Sequence, residues 1–261
     1  MQPEINLLGL SIKTFGVCFA LGFAVAGAVL TRRLRELGKP VDWSYEIVFA
    51  ALVGGLIGAR GYFVLGHTSE FGGNPLGTAF GGTGLVWYGG VVGGAAGVLL
   101  WAWRRDFLGL AILDLTCVPL ALGYAIGRIG CQVSGDGDYG TASDLPWAMA
   151  YPNGTVPTTD RVHPTPIYET LAMGLLAWVL WQFRDRVRAG VLFAWYLVGA
   201  GAERLLVEFV RRNDDVFAGL TAAQLESIAL LIVGITWLTI TKRNGGWSSQ
   251  QPAATAQPRA A

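Results

Sequence analysis

Apolar residues run in stretches of about 20, the length that crosses a bilayer core, and the stretches recur seven times along the 261 residues. They fall at roughly 12–31, 46–66, 85–103, 108–127, 167–183, 190–209 and 220–241. Several are rich in Gly and Ala, as in VGGLIGARGYF and YGGVVGGAAGV, a composition that lets helix backbones approach closely. The pattern predicts an all-α, polytopic membrane protein of about seven transmembrane helices packed as a compact bundle. One integral membrane domain spans 1–243, and the polar, low-complexity stretch NGGWSSQQPAATAQPRAA predicts a disordered tail over 244–261.

Orientation follows from the basic residues beside the spans. Arg32, Arg33, Arg35 and Lys39 follow the first span, Arg104 and Arg105 the third, Arg184, Arg186 and Arg188 the fifth, and Lys242 and Arg243 the seventh. Eleven of the 19 Lys and Arg residues therefore share one side. That side is expected to be cytoplasmic, with the N-terminus outside and the C-terminus inside. The opposite side receives the longer connections 67–84, 128–166 and 210–219. The middle one is far longer than an ordinary connection, and its aromatics and prolines favour order, so an ordered extracytoplasmic loop region is expected.

Composition agrees: 52% of residues are hydrophobic and 14% charged. A net charge of +1 gives no nucleic-acid footprint and no acidic tail. MQPEINLLGL lacks a basic n-region, so the first helix is expected to be retained. Three cysteines occur without a CxxC or metal spacing; Cys18 and Cys117 sit in apolar runs and read as core packing.

The chemistry is in the charges that remain inside or beside apolar spans. Arg60, Arg128 and Arg204 are there, with Glu46, Asp114, Glu169, Glu203 and Glu208. An arginine at the bilayer centre costs about 2.5–3.5 kcal/mol unless it is solvated or paired. Pairing alone is one reading; three arginines in the outer halves of different spans favour a functional cavity. In GAERLLVEFVRR, Arg204, Glu208 and Arg211 are spaced to share one helix face, and the Arg-before-Glu order gives little local helix support. Guanidinium groups offer planar paired donors that suit a phosphate, and glycines such as Gly130 would let backbone N–H groups approach the same anion. In a membrane that phosphate belongs to a phospholipid head group.

In GRIGCQVSGDGDYG, at 127–140, Ser134, Asp136 and Asp138 alternate like the first ligands of a calcium loop. Tyr139 and Leu145 stand where such a loop needs glycine and a carboxylate, so no metal is expected.

GRIGCQVSGDGDYG resembles the signature of the prolipoprotein diacylglyceryl transferase family. GARGYF in the second span, VWYGGVVGG at 86–94, HPTPIYE at 163–169 and ERLLVEFVRR in the sixth span resemble further family elements, in the family's order. The resemblance implies a bacterial plasma-membrane enzyme that moves the diacylglyceryl group of phosphatidylglycerol to the lipobox cysteine of a prolipoprotein signal peptide. It implies a thioether product, release of glycerol phosphate and no cofactor. Arg128 and Arg204 match the family's essential arginines; Glu208 and Arg211 match the acid and base that follow. Arg60, Gly89, Gly130, Ser134 and Asp136 complete the expected lipid-binding set. Tyr88 stands where some members carry a histidine, and His163 is a candidate to take the thiol proton. Cys131, Gln132, Ser134 and Asp136 replace the signature's Asn, Phe, Asn and Glu. A divergent homologue acting on another acceptor, or a transporter of an anionic lipid, are the rival readings.

Overall fold

The computed structural model describes residues 1–7, 10–67 and 86–249. Seven long helices form among them: α1 (Thr14–Glu36), α2 (Trp43–Gly66), α3 (Trp87–Arg104), α4 (Leu110–Ser134), α5 (Thr165–Phe183), α6 (Val191–Glu208) and α7 (Ala222–Arg243). Each coincides with one apolar stretch. Four of them, α1, α2, α4 and α7, are long and apolar enough to cross a membrane. Large apolar side chains such as Ile57, Leu65, Val92, Leu171, Leu206 and Ile232 face outward. In water that much exposed hydrocarbon would drive association; against lipid tails it has the same solvent as the core.

The all-α expectation needs one correction. Three small antiparallel hairpins accompany the helices: β1 (Glu4–Leu7) with β2 (Leu10–Lys13), β3 (Met149–Tyr151) with β4 (Thr158–Val162), and β5 (Asp215–Phe217) with β6 (Leu220–Thr221). The first precedes α1 and the other two lie in the α4–α5 and α6–α7 connections, where the backbone must find hydrogen bonds outside a helix. Between β5 and β6 the turn residues Ala218 and Gly219 both take positive φ, the geometry of a two-residue hairpin turn.

The chain divides into two compact units, 26–112 and the remainder, 1–25 with 113–261. In the first, α2 and α3 run antiparallel with their backbones in close contact. A side chain placed on Gly54, Gly58, Gly89 or Gly93 would meet backbone of the partner helix. That is the small-residue contact expected where lipid supplies no hydrophobic driving force. Glu46, at the start of α2, takes hydrogen bonds from Trp101 Nε1 (2.6 Å) and from Arg105, so its charge is matched.

In the second unit Asp114 accepts from the backbone N–H groups of Gly190 (2.7 Å) and Phe193 (2.9 Å), capping α6 from a different helix. α7 begins with a capping box: Thr221 Oγ1 accepts from Gln224 N, and Gln224 Oε1 accepts from Thr221 N. Past Arg243, Arg188 N donates to Trp247 O (2.8 Å) and Ser249 N to Arg186 O (3.0 Å). Residues 244–249 of the predicted tail are thus hydrogen-bonded to the α5–α6 connection; 250–261 lie outside the described residues, as does most of the connection 67–84.

Candidate active site

The ends of two helices matter here. α4 continues seven residues beyond the predicted span, to Ser134, so Arg128, Gly130, Cys131 and Gln132 are helical rather than in a loop. Ser134 ends that helix by donating from Oγ to Gly130 O (2.8 Å) and Cys131 O. α6 stops at Glu208, so Arg211 lies in the turn beyond it rather than on the span. That turn still follows the helix, with Arg211 N donating to Glu208 O (3.2 Å).

Arg128, Arg204 and Arg211 converge on one carboxylate, Glu169, which is fully buried in the second turn of α5. Arg128 Nε lies 3.2 Å from Glu169 Oε2, Arg204 Nη1 3.4 Å from Oε1, and Arg211 Nη1 3.4 Å from Oε2. Tyr124, one turn before Arg128, donates to Glu169 Oε1 at 3.0 Å, and the Arg128 guanidinium stacks over the Tyr124 ring. One lysine could not hold this geometry, because each guanidinium presents a fork to two acceptors at once.

A second carboxylate comes from the glycine-rich connection. Asp138 bridges Arg128 Nη1 and Arg211 Nη2, the latter at 2.6 Å. Burial raises the Asp138 pKa, but the two guanidinium groups outweigh it and hold the carboxyl below the usual carboxylate range. Thr165 Oγ1 donates to the Asp138 carbonyl at 2.5 Å, tying this connection to the start of α5. Glu208 completes the set, 3.0 Å from Arg204 Nη2 and accepting from Thr221 Oγ1 (2.6 Å) and Asn213 Nδ2 (2.7 Å). Three arginines thus meet three carboxylates. A guanidinium carries five N–H donors, more than these pairs engage, so the cluster can take an anion without dissolving.

The carboxylate on the arginines is Asp138 rather than Asp136. Asp136 Oδ1 instead accepts from the Asp138 backbone N–H at 3.3 Å, shaping the turn that aims its neighbour. Gly130 also serves the packing of the helices. A Cβ there would lie 2.9 Å from Cys18 Cβ, so the missing side chain admits α1 against α4. Cys131 is buried with its sulfur beside the carboxylates of Asp136 and Asp138, a potential cation-binding trio. Asp138 is already committed to two arginines, which a cation would have to displace.

His163 follows β4, with Nδ1 3.3 Å from the Tyr168 hydroxyl, which accepts from Trp147 Nε1 at 2.7 Å. Arg60, Tyr88 and Gly89 belong to the other unit. Arg60 stacks on Phe63, Tyr88 packs edge-on to Trp87, and Gly89 is one of the α2–α3 contact glycines.

Sequence reading missed Glu169 as a site residue, although HPTPIYE ends on it. The need for charge balance is the signal that could have found it: three arginines in apolar surroundings require carboxylates, and Glu169 is the acid one turn and a half inside an otherwise uncharged helix.

The cluster thus brings three guanidinium groups and three carboxylates together at the end of α4, the start of α5 and the end of α6. A family model described as prolipoprotein diacylglyceryl transferase matches residues 3–240. Relatives named phosphatidylglycerol–prolipoprotein diacylglyceryl transferase include proteins of Clostridium tetani, 31% identical over 90% of this chain and 96% of the relative, and Rhodospirillum centenum, 32% identical over 98% and 95%. One from Geobacter sulfurreducens is 31% identical over 93% of this chain and 96% of its own. The chain belongs to the prolipoprotein diacylglyceryl transferase family.

Proposed function

We propose that this protein transfers the diacylglyceryl group of phosphatidylglycerol to the lipobox cysteine thiol of a prolipoprotein signal peptide. The observation that carries the proposal is the convergence of Arg128, Arg204 and Arg211 on Glu169. The thiol sulfur attacks the glyceryl carbon that bears the phosphate. The carbon–oxygen bond breaks, its electron pair stays on the phosphate oxygen, and glycerol phosphate leaves. Charge on that phosphate rises from one to two as the bond breaks. Donors already held in place by buried carboxylates stabilise that charge without reorganising, and stabilisation of this kind supplies most of the rate enhancement in many enzymes.

Arg128 and Arg204 are the residues assigned to the phosphate. Glu169, Asp138 and Glu208 hold the guanidinium planes, and Arg211 links all three of those carboxylates. Arg60, Gly89, Gly130, Ser134 and Asp136 are further candidates for binding the lipid, and Tyr88 and His163 are candidates for a part in the chemistry. All seven helices span the bacterial plasma membrane in this reading. The basic ends of α1, α3 and α7 lie in the cytoplasm, where positive charge also suits a helix C-terminus. The N-terminus is then outside, and phosphatidylglycerol enters laterally while the signal peptide approaches from the outer face.

The test uses purified protein, phosphatidylglycerol labelled in its acyl chains, and a lipobox peptide. Label should join the peptide only when its cysteine is present, and a serine peptide should stay unlabelled. Arg128→Ala and Arg204→Ala should each lower turnover by about 100- to 1,000-fold, the scale of one lost charge-stabilising donor, with helix content unchanged. Full turnover in both variants would remove the arginines from the mechanism.

A further inference from the structure

We infer that Glu203 accepts the proton of the attacking thiol, an inference that rests on the transfer reaction proposed above. Glu203 precedes Arg204 on α6 and is 9% exposed. With Arg204, Val207 and Glu208 it occupies one inward stripe of the helix, at offsets of one, four and five residues. Its Oε1 atom is enclosed and has no hydrogen-bond partner among the described residues.

Its surroundings are those of the cluster. The carboxylate interacts electrostatically with Glu169 on α5, with Arg128 and Tyr124 on α4, with Tyr196 and Arg204 on α6, and with Arg211. Asp138, Glu169 and Glu208 each form salt bridges to arginine; among the described residues Glu203 forms none. The three arginines are balanced without it, so structural pairing does not explain a fourth acid. A buried carboxylate oxygen without a donor is costly, and a group kept in that condition needs a reason beyond packing.

Proton balance supplies the reason. The thiol S–H bond breaks and its proton passes to Glu203 Oε1, while the sulfur electron pair forms the bond to the glyceryl carbon. The carbon–oxygen pair leaves on the phosphate. Glu203 loses its negative charge as the phosphate gains one, so the total charge beside the arginines stays constant through the step. The proton then leaves with the glycerol phosphate or to water, and the carboxylate is restored. His163 would become a cation in this role; its ring nitrogen is directed to the Tyr168 hydroxyl.

The experiment compares wild type with Glu203→Gln and Glu203→Asp, using the full chain, phosphatidylglycerol and a cysteine peptide under single-turnover conditions. Glu203→Gln should react about 100-fold or more slowly, the usual share of a proton acceptor. The lipid concentration for half-maximal rate should move by no more than about threefold, because ground-state binding is intact. A peptide carrying selenocysteine, already ionised at neutral pH, should recover most of the lost rate in Glu203→Gln. Glu203→Asp should fall between. An unimpaired Glu203→Gln, or a loss that selenocysteine does not repair, overturns the inference and leaves the transfer reaction standing. If wild type forms no thioether, the transfer reaction itself fails and this inference goes with it.

Discussion

Glu169 holds three guanidinium groups from a fully buried position, and that makes it the most sensitive residue of the cluster. Glu169→Gln keeps the shape and removes the charge. It should destabilise the protein by about 3 kcal/mol, because breaking one side of a buried ionic network leaves the other side uncompensated. Thermal unfolding in detergent measures this, and a melting point equal to wild type would mean the arginines are solvated instead. Asp138 adds a pH dependence of definite sign. Its folded pKa is depressed, so its contribution is complete above the unfolded value of about 3.9 and is lost as pH falls through the lower folded value. Stability measured from pH 5 down to pH 3 should fall more steeply in wild type than in Asp138→Asn; identical slopes would show that the carboxylate gains nothing from Arg128 and Arg211. The arginines were legible from sequence because apolar surroundings make a charge conspicuous. Glu208 was legible with them, but Asp138 was not: an acid at 138 and one at 136 look alike until the turn between them shows which one meets the arginines.

At the scale of the helix, sequence located all seven elements and misplaced their ends. Hydropathy falls at Arg128, yet α4 continues because nothing in RIGCQVS breaks a helix before Gly135, which takes positive φ. The hydrophobic pattern reports burial in lipid, whereas a helix end is set by caps and turns. The hairpins were invisible for the same reason, their strands being only two to five residues long. Capping across helices was equally hidden: Asp114 reads as a misplaced membrane charge until α6 is seen to start against it. Asp114→Ala should cost about 1–2 kcal/mol, the range of a lost N-cap. Activity per folded molecule should be unchanged, since Asp114 serves the scaffold. A selective loss of activity at full stability would move it into the reaction.

Across the whole molecule, apolar helices carry a cluster in which three arginines meet three carboxylates. Under the proposed function, the phosphate that gains charge as its bond breaks meets donors already held in place by those carboxylates. The claim that joins these features is that the bond broken lies between the glyceryl carbon and the phosphate oxygen. Phosphatidylglycerol labelled in its head-group glycerol tests it in one reaction with the cysteine peptide. The label should appear in the water phase as glycerol phosphate, one molecule for each thioether formed. Label found on the peptide, or released as free glycerol, would mean that a phosphoglycerol or phosphatidyl group is what this protein moves.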